Sequence, residues 1–316
     1  MHERWLCKTR GLQIVACLLA LGVGRFAAST VVAAEDHSVL PTAIRRLAPL
    51  HKPLGKPAPG DWLDQHKEPG QTYKQYLASK PIRVTSQRKV ISIQPLGRFT
   101  DSERKIIDLA AKFEGIFFQL AVEVREDMHL SLIPETARRR KLFDEDLQIL
   151  STYVLDEVLK PQLPANAAVS IAFTRTDLWP GEGWNFVFGQ ASIGDRVGVW
   201  SIHRFGNPDE STEAFRLTLR RTLRTAVHET GHMFSMQHCI YYECVMNGSN
   251  HLDEADSQPL SPCPTCLAKL CHATGADPQK RFQELIAFAK EQGLEKEEAF
   301  WRQSLEALQG KSAGAK

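Results

Sequence analysis

Between Ala226 and His238 the chain reads Ala-Val-His-Glu-Thr-Gly-His-Met-Phe-Ser-Met-Gln-His, and no other run restricts the local fold as much. In a helix of about 3.6 residues per turn, His228 and His232 stand one turn apart on the same face, so both imidazoles can reach one ion. Glu229 lies roughly 100° round the helix from His228, placed to touch a water on that ion rather than the ion itself. A continuing helix would carry His238 to a divergent face, so the chain must turn after the helix if His238 is to be the third ligand. Three protein ligands leave the fourth tetrahedral position to water, which separates a catalytic zinc from a structural one. Zinc lowers the pKa of such a water from about 15.7 towards ~7, and Glu229 can take the proton as the water attacks a peptide carbonyl. The plain alternative is a chance His-Glu-x-x-His on a surface helix with solvated side chains. The third histidine and the adjoining Cys239 weigh against it.

Seven cysteines are present, and Cys7 and Cys17 lie in the leading segment. The others, Cys239, Cys244, Cys263, Cys266 and Cys271, fall in one short region. Cys239, Cys244, Cys263 and Cys266 form two ligand pairs of the kind a tetrahedral thiolate site for a structural zinc uses, leaving Cys271 over. Two rival readings stay open. Cys263-Pro264-Thr265-Cys266 has the form of a thioredoxin-type redox pair, although such a pair normally follows a strand and this one follows Pro259, Ser261 and Pro262. Disulfides are the other rival, since the compartment is expected to be oxidising. With Cys239 adjacent to His238, a second zinc would brace the third catalytic ligand.

The oxidising compartment follows from residues 1–34, read as a signal peptide. Arg4, Lys8 and Arg10 precede an apolar run from Leu12 to Val23, and Val32, Ala33 and Ala34 offer a cleavage site after Ala34. The run is shorter than the ~18 residues of a spanning helix, and no later stretch is apolar enough to cross a bilayer. Secretion or a periplasmic location is expected. A lipoprotein anchored at Cys17 is the minor alternative, because Ile14-Val15-Ala16-Cys17 has the form of a lipobox. A net charge of +2 over 316 residues excludes the concentrated basic surface that nucleic-acid binding needs.

Residues 35–85, rich in Pro, His and Lys at the start, are expected to form an extension or linker. Residues 86–310 form the catalytic domain, and 311–316 a disordered tail. Within the domain, strands are expected at Val90 to Ile93, Leu120 to Val124, Val169 to Phe173, Phe186 to Phe188 and Val197 to Ile202. Helices are expected at Asp101 to Phe113 behind an N-cap at Thr100, from about Ser211 into His228, and at Arg281 to Gln292 and Glu295 to Leu308. Leu142, Leu147, Leu150, Val154 and Val158 fit one helical face, with Arg138-Arg139-Arg140-Lys141 as its solvated start. Mixed strands and helices around a metal site make an α+β domain.

The run from His228 to His238, followed by Cys239, Cys244, Met246, Cys263 and Cys266, resembles the archaemetzincin signature, which pairs a three-histidine catalytic zinc with a four-cysteine structural zinc. The resemblance extends through Gly60-Asp61-Trp62-Leu63, Trp184 to Ser192 and Met246 to Leu252, and spans about Gly60 to Leu308. It implies a metzincin-like fold: a mixed β-sheet above the active-site helix and a small zinc-braced C-terminal subdomain below. It also implies two zinc ions per chain, a Met246 packed beneath the catalytic zinc, and a peptide substrate cleaved in an aminopeptidase-like manner. Metzincins bind peptides along an edge strand, for which Val197 to Ile202 is the candidate. Tyr241 and Tyr242 are weak candidates for oxyanion stabilisation, and His251 reads as structural rather than as a ligand.

Two departures stand out. Ser235 occupies a turn position where metzincins carry Gly, and most known members are intracellular. With no cysteine in the mature chain before Cys239, no upstream thiol exists to cap the zinc. The competing class is a zinc-stabilised binding protein that has lost turnover; Glu229 beside an open position favours the enzyme. A monomer is expected.

Overall fold

The computed structural model describes residues 37–140, 147–192 and 194–311. The expected signal peptide, Leu142 and nearly all of the expected tail lie outside them. Among the described residues, no helix is long and apolar enough to cross a membrane.

A five-stranded sheet holds β1 (Val90–Leu96), β2 (Ala121–Val124), β5 (Ala167–Thr174), β7 (Gly189–Ser192) and β8 (Val197–Ser201), in the order β2-β1-β5-β8-β7. All neighbours are parallel except β7, which runs antiparallel to β8 along the edge. Strands β1, β5 and β8 are buried along their whole length. The unbroken Ala-Ala-Val-Ser-Ile-Ala-Phe-Thr of β5 suits a parallel strand covered on both faces.

A smaller sheet pairs β3 (Arg138–Arg140), β4 (Leu147–Leu150) and β6 (Asp177–Trp179), in the order β3-β4-β6. It corrects the helix expected from Leu142 to Val158. Apolar spacing at 147, 150, 154 and 158 fits a helix, but within 147–150 it is Gln148 and Ile149 that are buried, and β6 supplies the backbone partners. The helix starts only at Ser151, as α5 (Ser151–Tyr153), and continues in a wider π-type turn over Val154–Leu159. The arginine run is no solvated helix start. The Arg139 guanidinium donates to Gln148 Oε1 at 2.8 Å and to the carbonyls of Trp184 and Asn185, and it stacks 4.1 Å from the Trp179 ring. Only Val187 of the strand expected at Phe186 to Phe188 makes a bridge, to Leu178.

The N-terminal residues contribute α1 (Thr42–Arg45), α2 (Trp62–Gln65) and α3 (Tyr73–Ala78), short segments that a 3.6-residue period cannot reveal. They are packed rather than free: Leu40, Ile44, Leu47, Tyr73 and Tyr76 belong to the main core, so the expected extension forms part of the same packed body. Its irregular backbone is satisfied across the fold, with Leu54 N–H donating to Tyr241, Val84 N–H to Ala273, and Glu243 N–H to Lys52.

Helix α4 (Asp101–Phe118) connects β1 to β2 and starts in a Thr100/Glu103 capping box. It packs on α6 (Thr212–Met233), which is N-capped by Ser211. Beyond α7 (Leu252–Ser257) follow α8 (Pro264–Thr274), α9 (Pro278–Gln292) and α10 (Glu295–Leu308). Their apolar faces join the core under α4 and α6, so the C-terminal part is continuous with the rest.

Candidate metal centre and cleft

Helix α6 delivers His228, Glu229 and His232 and ends at Phe234, where backbone N–H groups close back onto Thr230 and Gly231. Ser235 then adopts φ +65°, and Met236 N–H returns to the Gly231 carbonyl at 3.1 Å. A left-handed conformation costs a residue with a side chain roughly 1 kcal/mol relative to Gly. Ser235 offsets this with its hydroxyl, which accepts from Ile82 N–H at 3.1 Å, while its carbonyl accepts from Gln71 Nε2 at 3.2 Å. The expected sharp turn is present, and serine there ties it to the N-terminal segment.

The turn brings His238 round to the other two imidazoles, with ring centroids 4.7 to 5.2 Å apart. His228 Nδ1 lies 2.8 Å from the Val245 carbonyl, His232 Nδ1 2.6 Å from the Met236 carbonyl, and His238 Nδ1 2.8 Å from Glu68 Oε1. Carbonyl and carboxylate oxygens only accept, so each Nδ1 carries the proton and each Nε2 keeps its lone pair. Nε2 of His228 and of His232 face each other at 3.1 Å, two acceptors that only a cation reconciles. Bonds of ~2.0–2.1 Å at tetrahedral angles set nitrogen ligands about 3.3 Å apart, so the triad fits zinc. Burial pushes His228 well below the ordinary imidazole range and His232 down to about 3, keeping both neutral and ready to coordinate.

Glu229 faces the cleft beside this triad. Burial pushes its carboxyl up to about 7, against the opposing charge of Arg224, into the range suited to a proton carrier near neutrality. Met246 is buried beneath the helix. A Cβ added at Gly231 would stand 2.6 Å from its sulfur, so only glycine at this point of α6 admits so close an approach.

The Cys239, Cys244, Cys263 and Cys266 thiols form a second cluster, all within 4.8 Å of one another. Sγ of Cys239 and Cys263 are 3.7 Å apart, too far for a disulfide, and all five described cysteines are free. Met246 N–H and Cys263 N–H both donate to Cys244 Sγ. Thiol hydrogen bonds from Cys244, Cys263 and Cys266 pull Cys239 well below the usual thiol range, while burial pushes Cys263 well above it. Four converging sulfurs sharing so little negative charge fit a structural zinc, whose charge would let all four ionise. Cys271 stays outside, as expected. Asn247 welds the two clusters together: its amide donates to the carbonyls of Cys239 and Tyr242, and its oxygen accepts from Cys244 N–H.

A cleft of about 730 Å³ opens over the triad. One wall is β7, and this corrects the expected substrate strand: Val197–Ser201 is interior, paired on both sides, whereas Gly189–Ser192 is the edge. Tyr241 and Tyr242 are absent from the lining and pack against the core instead. His251 caps α7, its Nδ1 accepting from Glu254 N–H. Sequence reasoning missed Glu68, Trp62 and Arg224. Glu68 reaches His238 from 170 residues away, and Trp62 from still farther by an edge-on ring contact at 5.1 Å. No local spacing announces such partners.

Comparison with known proteins agrees. The model for peptidase family M54 matches residues 118–272. Human archaemetzincin-2 is 32% identical over 285 residues, covering 80% of this chain and 78% of its own. Archaemetzincin of Pyrococcus abyssi is 32% identical over 168 residues, covering 51% of this chain and 85% of its own. The crystal structure of archaemetzincin from Methanopyrus kandleri is 26% identical, covers 60% of this chain and 98% of its own, and superposes with a TM-score of 0.49. Fold and site define a zinc-dependent metallopeptidase. The chain belongs to the archaemetzincin family.

Proposed function

We propose that this protein hydrolyses short peptides with Glu229 as general base, that it carries two zinc ions, and that it is exported. The observation that carries the proposal is the convergence of three Nδ1-anchored imidazoles beside a carboxyl raised to about 7 in an open cleft. His228, His232 and His238 would hold the catalytic zinc, and Cys239, Cys244, Cys263 and Cys266 the structural one. The catalytic ion, when bound, supplies a Lewis acid that polarises the scissile carbonyl and acidifies water.

Glu229 takes the proton from the attacking water and passes it to the departing amine. The open edge of β7 offers backbone groups that pair with an extended peptide. Gly189 begins that edge, where an added Cβ would press on the Trp200 ring at 3.0 Å and touch Glu229 Cγ at 3.5 Å. The cleft volume lies in the ~300–1,000 Å³ range of small-ligand pockets, which favours short peptides and suits aminopeptidase-like trimming.

The test is Glu229→Gln. Retained zinc and fold with lost peptide cleavage is expected. Equal cleavage by wild type and variant would reject the mechanism, and no cleavage by either favours a zinc-stabilised binding protein. Profiling of product N-termini distinguishes exo- from endopeptidase action. The basic-then-apolar segment before Glu35 supports export. A mature chain starting at Glu35 is the expected result, and an intact N-terminus after expression in the native host contradicts it.

A further inference from the structure

Neither metal coordination nor proton transfer requires the cation that lines the cleft one helical turn before His228. Arg224 is 5% exposed, yet it contributes to the cleft wall with its neighbours Thr225, Ser249 and Asn250. Its Nη2 donates to the Asn247 carbonyl at 3.1 Å and to the Gln258 side-chain oxygen, which fastens part of the fork to the loop after Met246. Its Nε is buried with no partner among the described residues. The charged groups that act on it are Arg220 on its own helix, Glu229 in the site, Glu254 at the start of α7 and Cys244. Of these, only Glu229 shares the cleft with it. The other cation of the lining, Lys67, is exposed and therefore screened by water.

A buried guanidinium with donors still unspent beside a substrate cleft is a carboxylate receptor, because the charge-assisted bond that a remaining N–H gives to a carboxylate oxygen is strengthened in low-dielectric surroundings. We infer that Arg224 makes this cleft selective for a substrate carboxylate close to the scissile bond, either an acidic side chain or the free C-terminus of a short peptide. The inference rests on the peptidase reading above for its substrate and adds the chemical class that is preferred. Arg224 is a specificity-determining residue in this account, and its bonds to Asn247 and Gln258 hold the fork in place.

The zinc-loaded full-length protein is tested with peptides carrying Glu or isosteric Gln at each position flanking the scissile bond, every peptide in a free-acid and an amidated form. A preference of about tenfold or more in kcat/KM for Glu over Gln at one position, in the amidated series, identifies an acidic side chain. A preference of that size for free acid over amide identifies the C-terminus. Either preference should vanish in Arg224→Gln and survive in part in Arg224→Lys, whereas a purely structural role would lower the rates for Glu and Gln peptides alike. Identical handling of all carboxylate and amide pairs by the wild type overturns the inference without recourse to variants, as does a preference that persists in Arg224→Gln. If no peptide is cleaved, the peptidase reading fails separately. Calorimetric affinities of the same peptides with a ketomethylene in place of the scissile amide then decide the carboxylate question by the same ratios.

Discussion

The carboxylate of Glu68 accepts a hydrogen bond from Nδ1 of His238 at 2.8 Å, joining residues 170 positions apart in the chain. Burial opposes ionisation of Glu68, but the hydrogen bond from His238 outweighs it and holds the carboxyl below its ordinary range. The other two imidazoles lean on backbone carbonyls of the loops that follow α6, whereas His238 depends on a side chain ahead of residues 118–272, the stretch matched by the family model. The N-terminal segment is thus part of the metal centre.

Removing this support should weaken zinc binding more than it disturbs the fold. Glu68→Ala is expected to lower the affinity of the histidine site by about 10–100-fold, with Glu68→Gln intermediate, because Gln still offers an acceptor oxygen. Chelator competition followed with a zinc indicator measures this, and unchanged affinity in Glu68→Ala contradicts the assignment.

Ser235 separates backbone strain from side-chain anchoring. Ser235→Ala keeps the left-handed conformation but loses the bond from Ile82 N–H, and should cost about 1 kcal/mol. Ser235→Gly loses the same bond and relieves a strain of similar size, so it should be nearly neutral. Urea unfolding midpoints of the three proteins decide; equal destabilisation by both substitutions contradicts the compensation.

Glu114 lies wholly buried on α4, with one oxygen accepting from the Thr230 hydroxyl at 3.2 Å and the other without a partner. Burial pushes its carboxyl from 4.5 up to about 8. A folded pKa above the unfolded one stabilises the protein at low pH: the contribution is complete below about 4.5 and is lost as pH rises towards about 8. Glu114→Gln should flatten that decline and melt higher than wild type near pH 8. A variant that tracks the wild-type pH profile contradicts a buried neutral carboxyl.

A Cβ at Gly231 would stand 2.6 Å from the Met246 sulfur and 3.0 Å from its methyl carbon. Gly231→Ala forces Met246 aside and should destabilise the protein by about 1–3 kcal/mol despite alanine's higher helix propensity. Thermal melts check the direction, and a stabilised variant shows that Met246 yields freely.

The four-thiol cluster predicts that Cys263→Ser lowers stability and removes one zinc, with no disulfide-reductase activity in either protein. The insulin-reduction assay and metal analysis test this together. A wild-type reductase activity lost in the variant supports the redox reading instead.

The parts of the centre written in one local run were legible. The helical spacing of His228 and His232, the turn before His238 and the paired cysteines all follow from geometry within a few dozen residues. Strand order was not legible, since β7 and β8 are both short and which of them forms the edge depends on pairing with β5, far upstream. Leu147–Leu150 misled because its apolar spacing suits either a helix turn or a strand, and tertiary pairing with Asp177–Trp179 decided. Glu68 and Arg224 carry no motif at all; one is recruited by the fold from a turn-rich segment, and the other looks like one more arginine in Arg220-Arg221-Thr222-Leu223-Arg224.

Anomalous diffraction at the zinc edge, on crystals of the metal-loaded protein, tests the central claim most directly. One zinc is expected on Nε2 of His228, His232 and His238 with a solvent ligand facing Glu229, and a second on Cys239, Cys244, Cys263 and Cys266. A His238 ring turned away from the first ion, or a fourth protein atom closing its coordination, contradicts it.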